Sequence, residues 1–265
     1  MTAAPSPLSP LDLLERRPGE WIDAGAHLNG FGGFHGGLTL ALMAAAMQDE
    51  VPDLALRSVT ARFHRTLGNA FRVETSRVRA GRTVTSFAAQ AITAEGTHVE
   101  ASAVFGTPKP AEWRTFAPAA PAVPPPEECE LFVIPPEFVP ISRYLEIRPV
   151  GAARPYAGGD EPELTAWIRL LGDERPPDAP RLVLLMDSLA PSYAAVLSTL
   201  AVVPTVELTV RPGDGLGRAD SPWILLRART RTADADGWVD EEIDAWDRDG
   251  THLGSAQQLR IIRSV

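Results

Sequence analysis

Side chains able to serve as nucleophile, base or metal ligand are few in this 265-residue chain, and most are poorly placed for such work. The single cysteine, Cys129, has no partner for an internal disulfide. Its Pro-Pro-Glu-Glu-Cys-Glu surroundings raise a thiol pKa, so no reactive thiolate is expected there. His27, His64, His98 and His252 stand alone, without metal-ligand spacing, and are read as structural. The acids from Asp234 to Asp249 lack the fixed spacing and glycine of a calcium loop and read as a solvated hairpin face. No Gly-x-Ser-x-Gly elbow occurs, which argues against a serine-dependent α/β hydrolase, and there is no Gly-rich loop ending in Lys-Ser/Thr for phosphate. One short motif stands out. His35-Gly36-Gly37 opens an apolar segment, and the glycines let a ligand or a second helix approach closely, with His35 either touching that ligand or packing and capping the helix.

The elements that must position such groups follow from periodicity. Residues 36–47 (Gly-Gly-Leu-Thr-Leu-Ala-Leu-Met-Ala-Ala-Ala-Met) are apolar nearly all round, as in a helix buried against a sheet. Strands are expected at 58–65, 71–79, 83–93 and 97–105, with turns at Gly81-Arg82 and Glu95-Gly96. A Pro-rich stretch, 107–136, cannot be regular helix or central strand and divides the chain. Beyond it the order recurs: early strands at 145–148 and 164–170, an apolar helix over 182–199 interrupted near Pro191, then strands at 205–211, 223–232, 237–247 and 251–262. Glu95-Gly96-Thr97-His98-Val99 matches Asp249-Gly250-Thr251-His252-Leu253, and Ser58-Val59 matches Thr205-Val206. These offsets, 154 and 147 residues, point to a duplicated unit and hence to an α+β plan given twice.

With Gly32-Gly33-Phe34-His35-Gly36-Gly37 before a helix, Arg62-Phe63 in a strand and Gly81-Arg82-Thr83 before another, the first half resembles the N-terminal hotdog of acyl-CoA thioesterase II. The second half resembles its partner module through Leu185-Met186-Asp187-Ser188, Pro204-Thr205-Val206-Glu207, Trp246-Asp247-Arg248-Asp249-Gly250 and Gln257-Gln258-Leu259-Arg260. The resemblance spans about residues 24–263. It implies a double hotdog: an N-terminal module over 1–106, a linker over 107–136 and a C-terminal module over 137–265. It further implies that Asp187, Thr205 and Gln258 hold and activate a water, while His35, Gly36, Gly37 and Ser188 contact substrate. A carboxylate in an apolar helix suits a general base, and a hydroxyl and an amide can orient water or donate to an oxyanion. Helix-start N–H groups could receive the thioester carbonyl.

Other readings of these residues stay open. Asp187 could cap a second helical piece, and Thr205 could be a plain β-former after Pro204. Family members often carry an Asp-His pair where this chain has Pro204-Thr205. Gln257 and Gln258 take opposite faces, so alternation alone does not choose between them, whereas spacing to Arg263 favours Gln258. The offsets put Leu40 opposite Asp187 and Val104 opposite Gln258, so one working site per chain is expected, in the second half.

The expected activity is hydrolysis of acyl-CoA in fatty-acid metabolism by an activated water, with no cofactor and no metal. Two alternatives share the fold: a non-catalytic acyl-CoA or acyl-carrier binding protein, and a hotdog hydratase or dehydratase, which needs an Asp-His or Glu-His pair. A catalytic Asp187 with no His nearby in space would favour hydrolysis. The net charge of −9 gives no general attraction for nucleic acid or anionic membrane. No signal peptide or membrane span is read, so a cytoplasmic location is expected. Tandem modules can stand alone, and a homo-oligomer is also compatible with the sequence.

Overall fold

The computed structural model describes residues 7–15, 19–109 and 113–263. The first half contains α1 (Pro10–Leu14), β1 (Ile22–Asp23), α2 (Gly36–Asp49), β2 (Ala55–Phe63), β3 (Ala70–Ala80), β4 (Val84–Thr93) and β5 (Gly96–Gly106). The second contains β6 (Leu145–Pro149), β7 (Glu163–Leu170), α3 (Ala179–Met186), β8 (Thr205–Pro212), β9 (Ile224–Ala233), β10 (Trp238–Trp246) and β11 (His252–Ile261). The strands form one 11-stranded sheet in the order β1-β3-β4-β5-β2-β8-β11-β10-β9-β7-β6, with every pairing antiparallel. The expected α+β double hotdog is what the chain adopts.

Read outward from the centre, the same permutation appears on both sides, with β6 added at one edge. At the centre Ala61 pairs with Leu208, flanked by Thr60 with Thr209 and Arg62 with Glu207. The 147-residue offset maps Ala61 onto Leu208, so the duplicated unit meets its own copy about a local two-fold axis. The second offset does not survive. Ala61 pairs with Ala101 and Leu208 with Gln258, so Ala101, and not Val104, is the counterpart of Gln258. Val104 faces outward. The second hairpin is seated three residues further along its neighbour than its tip suggests, although both hairpins carry an equivalent bulge, at Ala91/Ile92 and at Ala245/Trp246. The consequence drawn from the offset still holds, because Ala101 carries no polar group.

Both helices lie on one face of the sheet. Helix α2 is buried from Gly37 to Ala44 and again at Ala46 and Met47, because it packs on the sheet, on α1 and on α3. Helix α3 differs from the expected 182–199. It starts at Ala179, where Asp178 accepts the Arg181 N–H at 2.9 Å, and stops at Met186. Pro191 bars continuation, and Ser192–Ala195 forms only a 3-10 turn. Asp187 is therefore freed from the helix wall.

The Pro-rich stretch is not a slack separator. It crosses the opposite face of the second half's sheet, where Trp246 Nε1 donates to the Pro118 carbonyl at 3.0 Å and Trp167 Nε1 to the Pro124 carbonyl at 2.8 Å. Trp167, Trp223, Leu225, Trp246 and Cys129 form a small second core beneath it. Burial raises the Cys129 thiol pKa, so the expected inert cysteine stands, with burial rather than acidic neighbours as the first cause.

Candidate active site

The two helix ends and two strands converge where the halves meet. Asp187, just past the last turn of α3, points at the first turn of α2. Its Oδ2 accepts the Gly37 N–H at 2.6 Å, and its Oδ1 accepts Gln258 Nε2 from β11 at 2.8 Å. Thr205, first residue of β8, directs its hydroxyl to Gln258 Oε1 at 3.4 Å. The three residues singled out from the second half are thus joined in one hydrogen-bonded chain. The helix-capping alternative for Asp187 is not realised, since its carboxylate bonds to Gly37 and Gln258 instead.

Gly37 is required by this contact. A Cβ there would lie 2.5 Å from Asp187 Cβ and 3.0 Å from the Leu184 carbonyl. The glycine read as permitting close approach admits the neighbouring helix, so its N–H is spent on Asp187 rather than on a ligand. His35 is the N-cap of α2: its Nδ1 accepts the Leu38 N–H at 3.1 Å. Its Nε2 lies 4.0 Å from Asp187 Oδ2. Burial is the main cause holding the His35 pKa below the ordinary histidine value, with Asp187 acting in the opposite sense. With Nδ1 accepting, the neutral ring carries its proton on Nε2.

A cavity of about 720 Å³ opens beside these groups. His35, Gly36, Asp187, Ser188, Thr205 and Arg260 form its polar end, and Phe31, Phe34, Phe63, Ile134, Phe138, Val139 and Leu200 are among its apolar walls. Both halves of the chain and the Pro-rich strap contribute. Gln258 is fully buried and sits behind Asp187 and Thr205, outside the lining. The Ser188 hydroxyl turns back to donate to the Leu184 carbonyl at 2.8 Å, which commits its hydrogen. The Gly36 N–H has no acceptor among the described residues and borders the cavity at the positive end of α2.

Two residues at the site were not expected from the sequence to belong to it. Arg260 and Glu241 form a buried ion pair, Nε to Oε2 at 2.7 Å, directly under the chain of polar groups. Arg260 was visible as the charged neighbour two places from Gln258 on the same strand face. Glu241 had been grouped with a solvated acidic hairpin, which is a correction: β10 alternates, so Glu241 points inward beside Gln258 while Asp240 and Glu242 point away. Gln257 is exposed and bonds to Asp240, so of the two glutamines it is Gln258 that reaches Asp187. Among the described residues no group of three or more His, Cys, Asp or Glu is placed to hold a metal ion. No described helix is long and apolar enough to cross a membrane.

Solved structures share this architecture from end to end. A conserved protein of unknown function with a hotdog fold from Alicyclobacillus acidocaldarius is 24% identical with a TM-score of 0.84, over 92% of this chain and 93% of its own. A candidate thioesterase II from Thermobifida fusca YX is 23% identical with a TM-score of 0.80, over 93% and 94%. A tesB protein from Mycobacterium avium subs paratuberculosis is 17% identical with a TM-score of 0.75, over 96% and 98%. At these identities the likeness defines a double hotdog and nothing finer. No curated protein matches the sequence significantly. The sequence itself matches the acyl-CoA thioesterase N-terminal domain over residues 25–106 and the acyl-CoA thioesterase C-terminal domain over residues 117–262. The chain belongs to the acyl-CoA thioesterase family and is a thioester hydrolase.

Proposed function

We propose that the protein hydrolyses acyl-CoA thioesters at a single site per chain, with Asp187 as general base. The observation that carries this reading is the Asp187 carboxylate, held by Gly37 and Gln258 at the polar end of a largely apolar cavity. Each carboxylate oxygen has one lone pair engaged and another free for a water. The acyl chain lies along the apolar walls with its thioester carbon beside Asp187 and Thr205. Asp187 takes a proton from water as the new C–O bond forms, and the carbonyl oxygen becomes an oxyanion facing the Gly36 N–H and the His35 Nε2–H. Collapse breaks the C–S bond, and the departing thiolate takes up the proton. Thr205 orients the water and Gln258 fixes Asp187 from behind.

Two exposed arginines on the cavity rim, Arg65 and Arg263, have no ion-pair partner among the described residues and suit the phosphates of a CoA carrier. A hydratase reading draws on one observation, the His35–Asp187 approach at 4.0 Å, since the expected sign of hydrolysis was an Asp187 with no His nearby. The ring engagement weighs against it. His35 uses its only lone pair on the Leu38 N–H, so it cannot act as a base without uncapping α2.

The deciding experiment is release of free CoA thiol from a short-to-long acyl-CoA panel by the native protein and by Asp187→Asn, with hydration of an enoyl-CoA followed in parallel. Hydrolysis predicts thiol release that Asp187→Asn abolishes while the protein stays folded. Saturable acyl-CoA binding without thiol release would leave a binding protein, and loss of the enoyl absorbance without thiol release would leave a hydratase.

A further inference from the structure

We infer that Arg260 is a positioning residue that sets the direction of every hydrogen bond between itself and Asp187. This rests on the hydrolytic reading of the site. Arg260 is 5% exposed and is held by Glu241, itself 1% exposed, whose second oxygen accepts the Ser192 N–H at 2.5 Å. A buried ion pair of this kind is a poor source of stability, because apolar residues of similar volume often serve a core equally well. Its geometry indicates another use. Arg260 Nη1 donates to Thr205 Oγ1 at 2.9 Å and to the Val203 carbonyl at 3.3 Å.

A guanidinium only donates. Thr205 Oγ1 must therefore accept from Arg260, which turns its own hydrogen toward Gln258 Oε1. Once Oε1 is the acceptor, the amide can present only its Nε2–H₂ to Asp187 Oδ1. The reversed amide would set a carbonyl oxygen against the carboxylate. The result is a one-way chain, Arg260 to Thr205 to Gln258 to Asp187, that holds the base in one rotamer and leaves the remaining lone pair of Thr205 as an acceptor facing the cavity. Arg260 Nη2 also stands 3.9 Å from Asp187 Oδ1, too far to bond. A lysine cannot replace this fork, since one flexible ammonium cannot meet Glu241, Val203 and Thr205 in the plane they define.

The test compares acyl-CoA hydrolysis by the native protein, Arg260→Met with Glu241→Gln, Thr205→Val, and all three together, with thermal melts of each. Removing both charges avoids stranding Glu241, and glutamine retains an acceptor for the Ser192 N–H. The expected result is a folded double variant whose kcat falls on the order of tenfold or more with KM nearly unchanged. Adding Thr205→Val should cost clearly less in the double variant than in the native protein, because part of its effect interrupts the same chain. Native kcat in the double variant overturns the inference, as does a full multiplicative loss on adding Thr205→Val. If the double variant does not fold, Arg260→Lys, which keeps the charge against Glu241, carries the test: the same fall in kcat supports the role, and native kcat overturns it. A native protein that releases no thiol overturns the hydrolytic reading and this inference with it. An active native protein with an unaffected Arg260 variant overturns this inference alone.

Discussion

Replacing Gly37 by alanine tests the contact on which the whole site depends. The added Cβ would stand 2.5 Å from Asp187 Cβ, 3.0 Å from the Leu184 carbonyl and 3.1 Å from His35 Cε1. Ordinary carbon contacts begin near ~3.5 Å, so Asp187 or the start of α2 must shift by about 1 Å. Such a shift breaks the 2.6 Å bond from the Gly37 N–H to the carboxylate. A hydrogen bond to a charged group contributes about 1.5–3 kcal/mol, while alanine recovers about 1 kcal/mol of helix propensity over glycine. The net loss is about 0.5–2 kcal/mol before any clash is counted. In a domain of this size that lowers the melting temperature by several degrees, at about 2–4 °C per kcal/mol. The effect on rate is larger: about 1 Å of misplacement costs on the order of 10²-fold in kcat. The assay is thiol release from an acyl-CoA that the native protein turns over, with a parallel thermal melt. An alanine variant with kcat within about twofold of native and an undiminished melting temperature would refute the claim that Asp187 is clamped against the start of α2.

Further expectations concern pH and the cavity rim. Hydrogen bonds and charge from Arg175 and Arg181 outweigh burial and hold the Asp173 carboxyl down to about 2. A depressed carboxylate contributes stability above its unfolded value near ~3.9 that is lost as pH falls toward the folded value, about 2 kcal/mol in all. The native protein should lose melting temperature between about pH 4 and 2, and Asp173→Asn, less stable at neutral pH, should show a flatter acid profile. His35 has the opposite chemistry and the same sign: its neutral form is favoured in the fold, so stability is present above ~6.5 and falls as the pH drops below it. His35→Asn keeps an N-cap acceptor and should lose less melting temperature than the native protein between about pH 7 and 5. Changing Arg65 and Arg263 together to glutamate should raise KM for acyl-CoA while leaving turnover of a short thioester without phosphates unchanged. An equal effect on both substrates would remove these arginines from carrier binding.

Much of this fold is legible in the chain because it is written locally and twice. An all-apolar run behind two glycines makes a buried helix at α2. Alternation places the strands, and a matched pair of strings reveals the duplication, since hydrophobic period and turn chemistry are short-range properties. The 147-residue offset even anticipated the axis where Ala61 meets Leu208. What the chain did not disclose depends on how distant segments are seated. The second hairpin's three-residue slide made Ala101, not Val104, the counterpart of Gln258. Pro191 marked an interruption in the sequence, but not that α3 would already end at Met186.

The site divides along the same line. Asp187, Thr205 and Gln258 were singled out by the family resemblance, carried over onto the matching motifs. The approach of His35 and Gly37 to Asp187, across 150 residues in the bond from Gly37, exists only because two helices dock end against end. The inward turn of Glu241 to meet Arg260 was equally hidden, because a carboxylate in an acidic run looks solvated until its strand is given a face. Sequence determined which elements form and which side chains could do chemistry. Tertiary structure alone decided which donors face which acceptors, because hydrogen-bond direction is set by through-space geometry that no local pattern encodes.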